Sequence, residues 1–253
     1  MNGFSVYPSL TDYTYDVARG KITGAEPIEA YGSRTTTGAE DNVLWPNGAY
    51  SFPASSGVQM TIVSTSANDT AAGTGIRTID IHYLDANLAT QVETVTLNGT
   101  TPVNMVATNI RFIQYMHGVT FGSGKVAAGN ISATNNGNTY SYIQTGQVRC
   151  SSTVRMVPAG KRLIVTSFYG GSISGTAGAA TIIHLATPTY DGHDFTSSGI
   201  FMPLASGAFQ DNSSGLTIPC PLAFTAGQSI GMTFSTDKAT TVVGSWFGWL
   251  ENA

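Results

Sequence analysis

Charge is scarce in this chain. Lys, Arg, Asp and Glu together make up 10% of its 253 residues, against about 25% in an ordinary soluble protein. The few cations are scattered, and no Lys/Arg cluster occurs. That argues against nucleic acid as a partner, because binding a phosphate backbone needs grouped positive charge. The formal net charge of −4 points the same way. Long apolar runs are missing too: none approaches the ~20 residues that span a bilayer as a helix, so no membrane partner is expected. The first residues, MNGFSVYPSL, lack the basic-then-apolar layout of a signal peptide, and the expectation is synthesis and folding in a cytosol. Cysteine is confined to Cys150 and Cys220, with no CxxC or Cys/His spacing around them. A reduced, unbridged and partly buried pair follows. The Asn-X-Ser/Thr triplets at Asn68, Asn98, Asn130 and Asn212 carry weight only in a secreted chain.

What fills the space is Gly, Ser, Thr, Asn and Ala. Such a surface is polar without being charged, which suits a β-rich assembly component better than a free cytosolic enzyme. The stretch IHYLDANLATQVETVTLNGTTPVN, residues 81–104, is the most regular. From Arg77 to Leu84, Ile79, Ile81 and Tyr83 alternate with Thr78, Asp80 and His82, the period of a half-buried strand. Asp85, Ala86 and Asn87 supply turn chemistry, with Asn87 the residue that tolerates positive φ. A second Val/Thr-rich run ends at Asn98-Gly99, a tight-turn pair. The expectation is a hairpin on which Asp80, His82 and Glu93 form a polar, water-facing surface.

Elsewhere the pattern repeats. KRLIVTSFY, AATIIHLATP and the tail LAFTAGQSIGMTFSTDKATTVVGSWFGWLEN read as strands between Pro/Gly, Ala-Gly and Asp-Lys turns, and ATNIRFIQYMHGVTF is a strand by its β-branched and aromatic content, although its length also admits a helix. In the tail, Val243, Trp246, Phe247 and Trp249 set against Gly244 and Gly248 look like core residues of a closing strand. The predicted class is all-β, a β-sandwich or jelly roll in two lobes: residues 1–40 an N-terminal arm, 41–145 a first sandwich, 146–253 a jelly-roll-like second lobe. The arm carries the one helix candidate, SLTDYTYDVARG, with Ser9 and Asp12 as a cap and Gly20 as its end. Leu10, Tyr13 and Val17 make one apolar stripe, too short to hold a helix alone in water. It must dock, either on its own domain or on a neighbouring subunit, so these three are the candidate interaction residues. GSRTTTGAED reads as linker.

Enzyme motifs fail on context. Gly227-Gln228-Ser229-Ile230-Gly231 matches a nucleophile elbow, but a strand pattern follows where a helix is needed, and His184 and His193 precede the serine. Gly122-Ser123-Gly124-Lys125 runs into Val126 where a phosphate-binding loop needs Ser or Thr. His117, His184 and His193 show no metal-ligand spacing, although Asp191, His193 and Asp194 in YDGHDF offer a cation donors. Asp69 has too few nearby carboxylates for a calcium loop. No catalytic residue, cofactor or resident metal is expected.

TSANDTAAGTGIRTIDIHYLDANLATQVETVTLNGTTPVN, then IRFIQYM and GSGKVAAGNISA, preceded by YDVARGKITGAEPIEAYG and LWPNGAYSFP, resemble a family of structural proteins encoded in tailed-bacteriophage genomes. The shared pattern is a Leu-Asp-Ala-Asn strand end (Leu84–Asn87), a Glu-Thr-Val strand (Glu93–Val95) and a Leu-Asn-Gly-Thr turn (Leu97–Thr100), and the match covers roughly residues 16–135. The resemblance implies a non-enzymatic virion protein, made in the host cytoplasm, that decorates or cements the capsid. Its partners would be the major capsid protein or other virion proteins. A homo-oligomer, with a trimer favoured from how viral jelly rolls assemble, is expected. The alternative is a binding module at the particle surface or tail fibre that recognises a host carbohydrate or another virion protein.

Overall fold

Every strand pairing among the described residues is antiparallel, and the pairings bring the two ends of the chain together. The computed structural model describes residues 10–48, 50–174, 178–187, 202–210 and 215–253. The expected Ser9 cap, the side chains of Leu10 and Asp12, the YDGHDF donors and the Asn212 triplet lie outside the described residues. The chain opens with helix α1 (Leu10–Ala18), the one helix among the described residues. Gly20, at φ +68°, ends it as expected. Its N–H bonds the Val17 carbonyl at 2.9 Å, and the Lys21 N–H reaches the Asp16 carbonyl at 2.8 Å. That pair of bonds is the Schellman closure, which needs a left-handed residue and so favours glycine.

Strands β1 (Ala25–Thr35) and β2 (Glu40–Val43) come next. Residues 25–40, read from the sequence as arm and linker, are therefore mostly sheet. β1 pairs along all eleven of its residues with β16 (Thr240–Asn252), from Ala25 opposite Glu251 to Thr35 opposite Thr241. β2 pairs with β15 (Ser229–Thr236). Partners some two hundred positions apart leave no local trace in sequence, which is why β1 looked like a tail.

Between β2 and β10 (Arg155–Met156) the chain builds a separate sandwich. One sheet is β6-β3-β8-β9 (Val103–Asn104, Thr61–Ser64, Ile131–Asn135, Asn138–Ile143) and the other β5-β4-β7 (Thr90–Thr96, Ile76–Asp85, Ile110–Phe121). Met60, Ile62, Ile79, Ile81, Ile113, Met116, Ile131 and Ile143 fill the space between them. The remaining strands, β11 (Lys161–Ser174), β12 (Ala180–Thr187), β13 (Met202–Gln210) and β14 (Leu216–Thr225), complete a second sandwich. Its sheets are β1-β16-β11-β14 and β10-β15-β12-β13, with β2 also on β15. Leu44, Phe168, Ile183, Phe224, Met232, Phe234 and Trp246 form its core.

Proline placement follows from this order. Pro27 sits on β1, Pro203 on β13, and Pro219 and Pro221 on β14, and all three strands are sheet edges. A residue without an N–H is tolerated there because no ladder bond is lost. The closing strand behaves as a strand between two layers. Val242, Trp246 and Leu250 point inward, whereas Phe247 is 42% exposed, so the aromatic set expected as core is split between the two faces. Gly248 is needed where it stands: a Cβ would overlap the Ile164 carbonyl oxygen of β11.

A third cluster joins the sandwiches: Val43, Trp45 and Tyr50 from the outgoing segment, Leu84 and Phe112 from the first sandwich, Val154 and Met156 from the returning one. Trp45 meets Tyr50 edge-on at 4.9 Å, Tyr50 meets Phe52, and Phe52 stacks on Phe112 at 5.6 Å. Cys150 lies in the first core and Cys220 in the second, both buried and unbridged. Burial raises the Cys220 thiol pKa, which keeps it protonated and slow to react. A thiol reagent should therefore titrate two groups per chain in denaturant and almost none in the native protein. An intact mass two hydrogens short would contradict this.

Candidate functional site

The hairpin read from the sequence is present. β4 pairs with β5 from Thr78 opposite Thr96 to Leu84 opposite Thr90. Its turn is held by Asp85, whose Oδ1 accepts the N–H groups of Asn87 at 2.8 Å and Ala89 at 3.0 Å. The left-handed residue is Leu88, at φ +62°, and not Asn87. Leu88 packs on the cluster between the sandwiches, and its carbonyl accepts the Ala159 N–H at 2.9 Å. Tertiary packing has overridden local preference at that position.

Ile79, Ile81 and Tyr83 enter the first core, so Asp80 and His82 stand on the outer face of the sheet, as alternation requires. The sequence does not show what β7 places beside them. Asp80 lies opposite His117, and His82 opposite Tyr115. The His82 and Tyr115 rings stack with centroids 4.1 Å apart and planes 15° apart, and His82 and His117 are 5.4 Å apart at 26°. One ligand atom each of Asp80, His82 and His117 lies within 4.8 Å of the others. Thr94, opposite Asp80 on β5, donates its hydroxyl to Asp80 Oδ1 at 2.5 Å. His117 Nδ1 is buried with no hydrogen-bond partner among the described residues. Burial, then the neighbouring His117, lowers the His82 pKa, with Asp80 opposing. The shift favours the neutral ring. Glu93, grouped with these residues from sequence, is used elsewhere: its two oxygens accept the Val106 and Ala107 N–H groups at 2.7 and 3.1 Å.

His82 and Tyr115 also border a cleft of about 550 Å³ between the sandwiches, with Glu26 and Glu29 of β1 on its far wall and Arg155 lining it. Arg155 is buried, and its Nη1 donates to the Ser152 and Val154 carbonyls at 3.1 and 2.7 Å. Arg149 reaches Glu29 at 3.4 Å across the cleft, but both side chains are more than half exposed, so that pair contributes little.

The other sequence candidates fall as follows. Tyr13 meets Trp249 edge-on at 5.3 Å. Val17 is buried and lies beside Ile28, Phe247 and Trp249 of the β1-β16 face. These two residues of the stripe are thus seated on the chain's own second sandwich. Ser229 opens strand β15 and is fully buried, its Oγ without a partner among the described residues; a nucleophile elbow would present it at a helix start. In the Gly122–Lys125 loop the Gly122 and Gly124 N–H groups bond the Gly75 and Thr74 carbonyls at 2.7 and 2.8 Å, so neither is free to cradle a phosphate. Asp69 is fully buried, and its carboxyl oxygens accept from the Ser64 hydroxyl and from the Ile76, Ala128 and Gly129 N–H groups.

No protein-family model matches the chain, and no curated protein matches it. Among solved structures, it is similar to the structure of infectious bursal disease virus, Gx strain, at 11% identity. That match covers 90% of this chain and 72% of the other, with a TM-score of 0.26. The crystal structure of the infectious bursal disease virus VP2 subviral particle is similar at 10% identity over 90% and 72% of the two chains, with a TM-score of 0.17. At these scores the likeness fixes neither fold nor function. No described helix is long and apolar enough to cross a membrane.

Proposed function

We propose that the protein is a non-enzymatic structural component of a tailed-phage virion, decorating or cementing its capsid as a homo-oligomer. The observation that carries this is strand order. Count the second sandwich as eight strands in chain order, with β2 and β10 as two pieces of the second strand. The sheets then read 1-8-3-6 and 2-7-4-5. This order supports a jelly-roll reading of the second sandwich, the double Greek key of viral capsid and lectin domains. On this reading the first sandwich is an insertion within the second strand, between its pieces β2 and β10, and the part of the sequence that resembles phage structural proteins, roughly residues 16–135, covers β1, β2 and the insertion as far as β8.

Surface chemistry supports assembly. β12, β13 and β14 contain no Lys, Arg, Asp or Glu, and β13 and β14 are sheet edges. Edges are usually protected by charge or by a covering neighbour. Here proline interrupts them without charging them, and a further copy can pack against them without electrostatic repulsion. A trimer is the expected state, and light scattering of the purified protein should give three times the chain mass of 26.4 kDa.

Capsid decoration has a direct test. Particles assembled without this chain should release their DNA at lower temperature than complete ones, and adding the purified protein back should restore the difference. Particles of unchanged thermal and osmotic stability, with no uptake of added protein, would contradict decoration and favour a tail or fibre role.

A further inference from the structure

We propose that Asp80, His82 and His117 bind one divalent transition-metal ion of the zinc class on the outer face of the β5-β4-β7 sheet. The donor set is two imidazoles and one carboxylate. It suits zinc and its first-row neighbours and disfavours magnesium or calcium, which take oxygen donors. Strand geometry brings the three together. Asp80 and His82, two apart on β4, share a face, and antiparallel pairing sets His117 directly opposite Asp80. Ligand atoms within 4.8 Å of one another need side-chain rotations of about an ångström to meet zinc at ~2.0–2.2 Å, with no backbone movement.

Two further observations point to a cation and not merely to a polar sheet face. His117 Nδ1 is buried and unpartnered among the described residues, a cost that coordination of the ring, or an ordered water recruited by it, removes. Asp80 is already oriented: the Thr94 hydroxyl holds Oδ1 at 2.5 Å, the kind of outer-shell bond that fixes a ligating carboxylate. Tyr115, stacked on His82, restrains that ring in turn. Three protein ligands leave one position for water or for a donor from a second molecule. The ion would clamp β4 to β7 where their pairing is irregular, next to the register shift at His82 and Tyr83.

The inference stands apart from the virion role, and its test uses the purified full chain with zinc ion as the probe. Calorimetric titration in a non-chelating buffer should show one zinc per chain. Asp80→Asn, His82→Gln and His117→Gln should each weaken binding at least about 100-fold, beyond the 10–100-fold typical of losing an outer-shell partner. Circular dichroism of each variant in the absence of metal should match that of the parent, since all three replacements lie on the sheet's outer face. Cobalt substituted for zinc should show ligand-field bands that disappear in the same variants. An absence of zinc uptake by the parent protein would overturn the proposal. So would uptake that all three variants retain unchanged, because the ion would then sit elsewhere.

Discussion

Replacing Asp69 with alanine should lower the free energy of unfolding by about 3–5 kcal/mol, because it strands several buried or part-buried donors at once. Asp69 is fully buried and holds three separate segments. Oδ1 accepts the N–H groups of Ile76 and Ala128, both at 2.9 Å, and Oδ2 accepts the Gly129 N–H at 2.9 Å and the Ser64 hydroxyl at 2.6 Å. Its backbone takes part as well, since its carbonyl accepts the Gly99 N–H at 2.7 Å, anchoring the Asn98-Gly99 turn. Alanine would leave two buried amides, one part-buried amide and a hydroxyl without an acceptor, each buried donor costing about 1–3 kcal/mol before relaxation or water entry. Asparagine is the informative control. It keeps one acceptor but turns an NH₂ group toward donors, so it should also destabilise, by less than alanine. Urea unfolding of the three proteins measures both. A loss below 1 kcal/mol for the alanine variant would mean that water replaces the carboxylate, and that the loop is not clamped.

Trp246→Ala should cost a similar amount, about 3–5 kcal/mol, the usual result of emptying a large aromatic site. Trp246 is fully buried in the second sandwich, and its indole N–H donates to the Thr153 carbonyl at 2.7 Å. Thr153, fully buried on the segment returning from the first sandwich, accepts the Met232 N–H at 3.0 Å and donates to the Leu44 carbonyl at 3.2 Å through its hydroxyl. The tryptophan therefore ties β16 to the junction through which the chain leaves and re-enters the second sandwich. Trp246→Phe preserves most of the packing but strands the Thr153 carbonyl, and should cost about 1–3 kcal/mol. If the sandwiches unfold separately, only the transition that reports the second should move. A shift of the first transition alone would contradict the assignment of Trp246 to that core.

Local features were legible in the sequence, and nonlocal ones were not. Period-two alternation located β4 and β11, β-branched and aromatic enrichment favoured a strand at β7, and Gly20, Asn98-Gly99 and Pro158-Ala159-Gly160 marked real chain reversals, because these signals are written within a few residues. Strand partnership is written nowhere locally. Nothing in EPIEAYGSRT announces that it pairs with residues 241–250, so the sequence extends the arm over what is strand β1 and hides the nesting of one sandwich in the other. The same blindness hid the metal-binding triad. Asp80 and His82 were visible as a polar strand face, but His117 lies 35 residues beyond His82 and joins them only through the β4-β7 register. A search for helical His spacing could not find it; pairing two predicted strands that each carry histidine on the polar phase could have. Asp69 has too few nearby carboxylates to read as a calcium ligand, and its part as an acceptor for backbone groups 7, 59 and 60 positions away has no sequence signature at all.

The most direct test of the virion role is a symmetric cryo-electron microscopy reconstruction of intact particles produced with this chain. The account predicts density for the double sandwich at repeated symmetry-related positions on the capsid surface, grouped in threes, with the uncharged strands β12–β14 turned toward a neighbouring copy or the shell. Particles whose every ordered surface density is explained by other chains, with this protein recovered only as a free monomer, would contradict it.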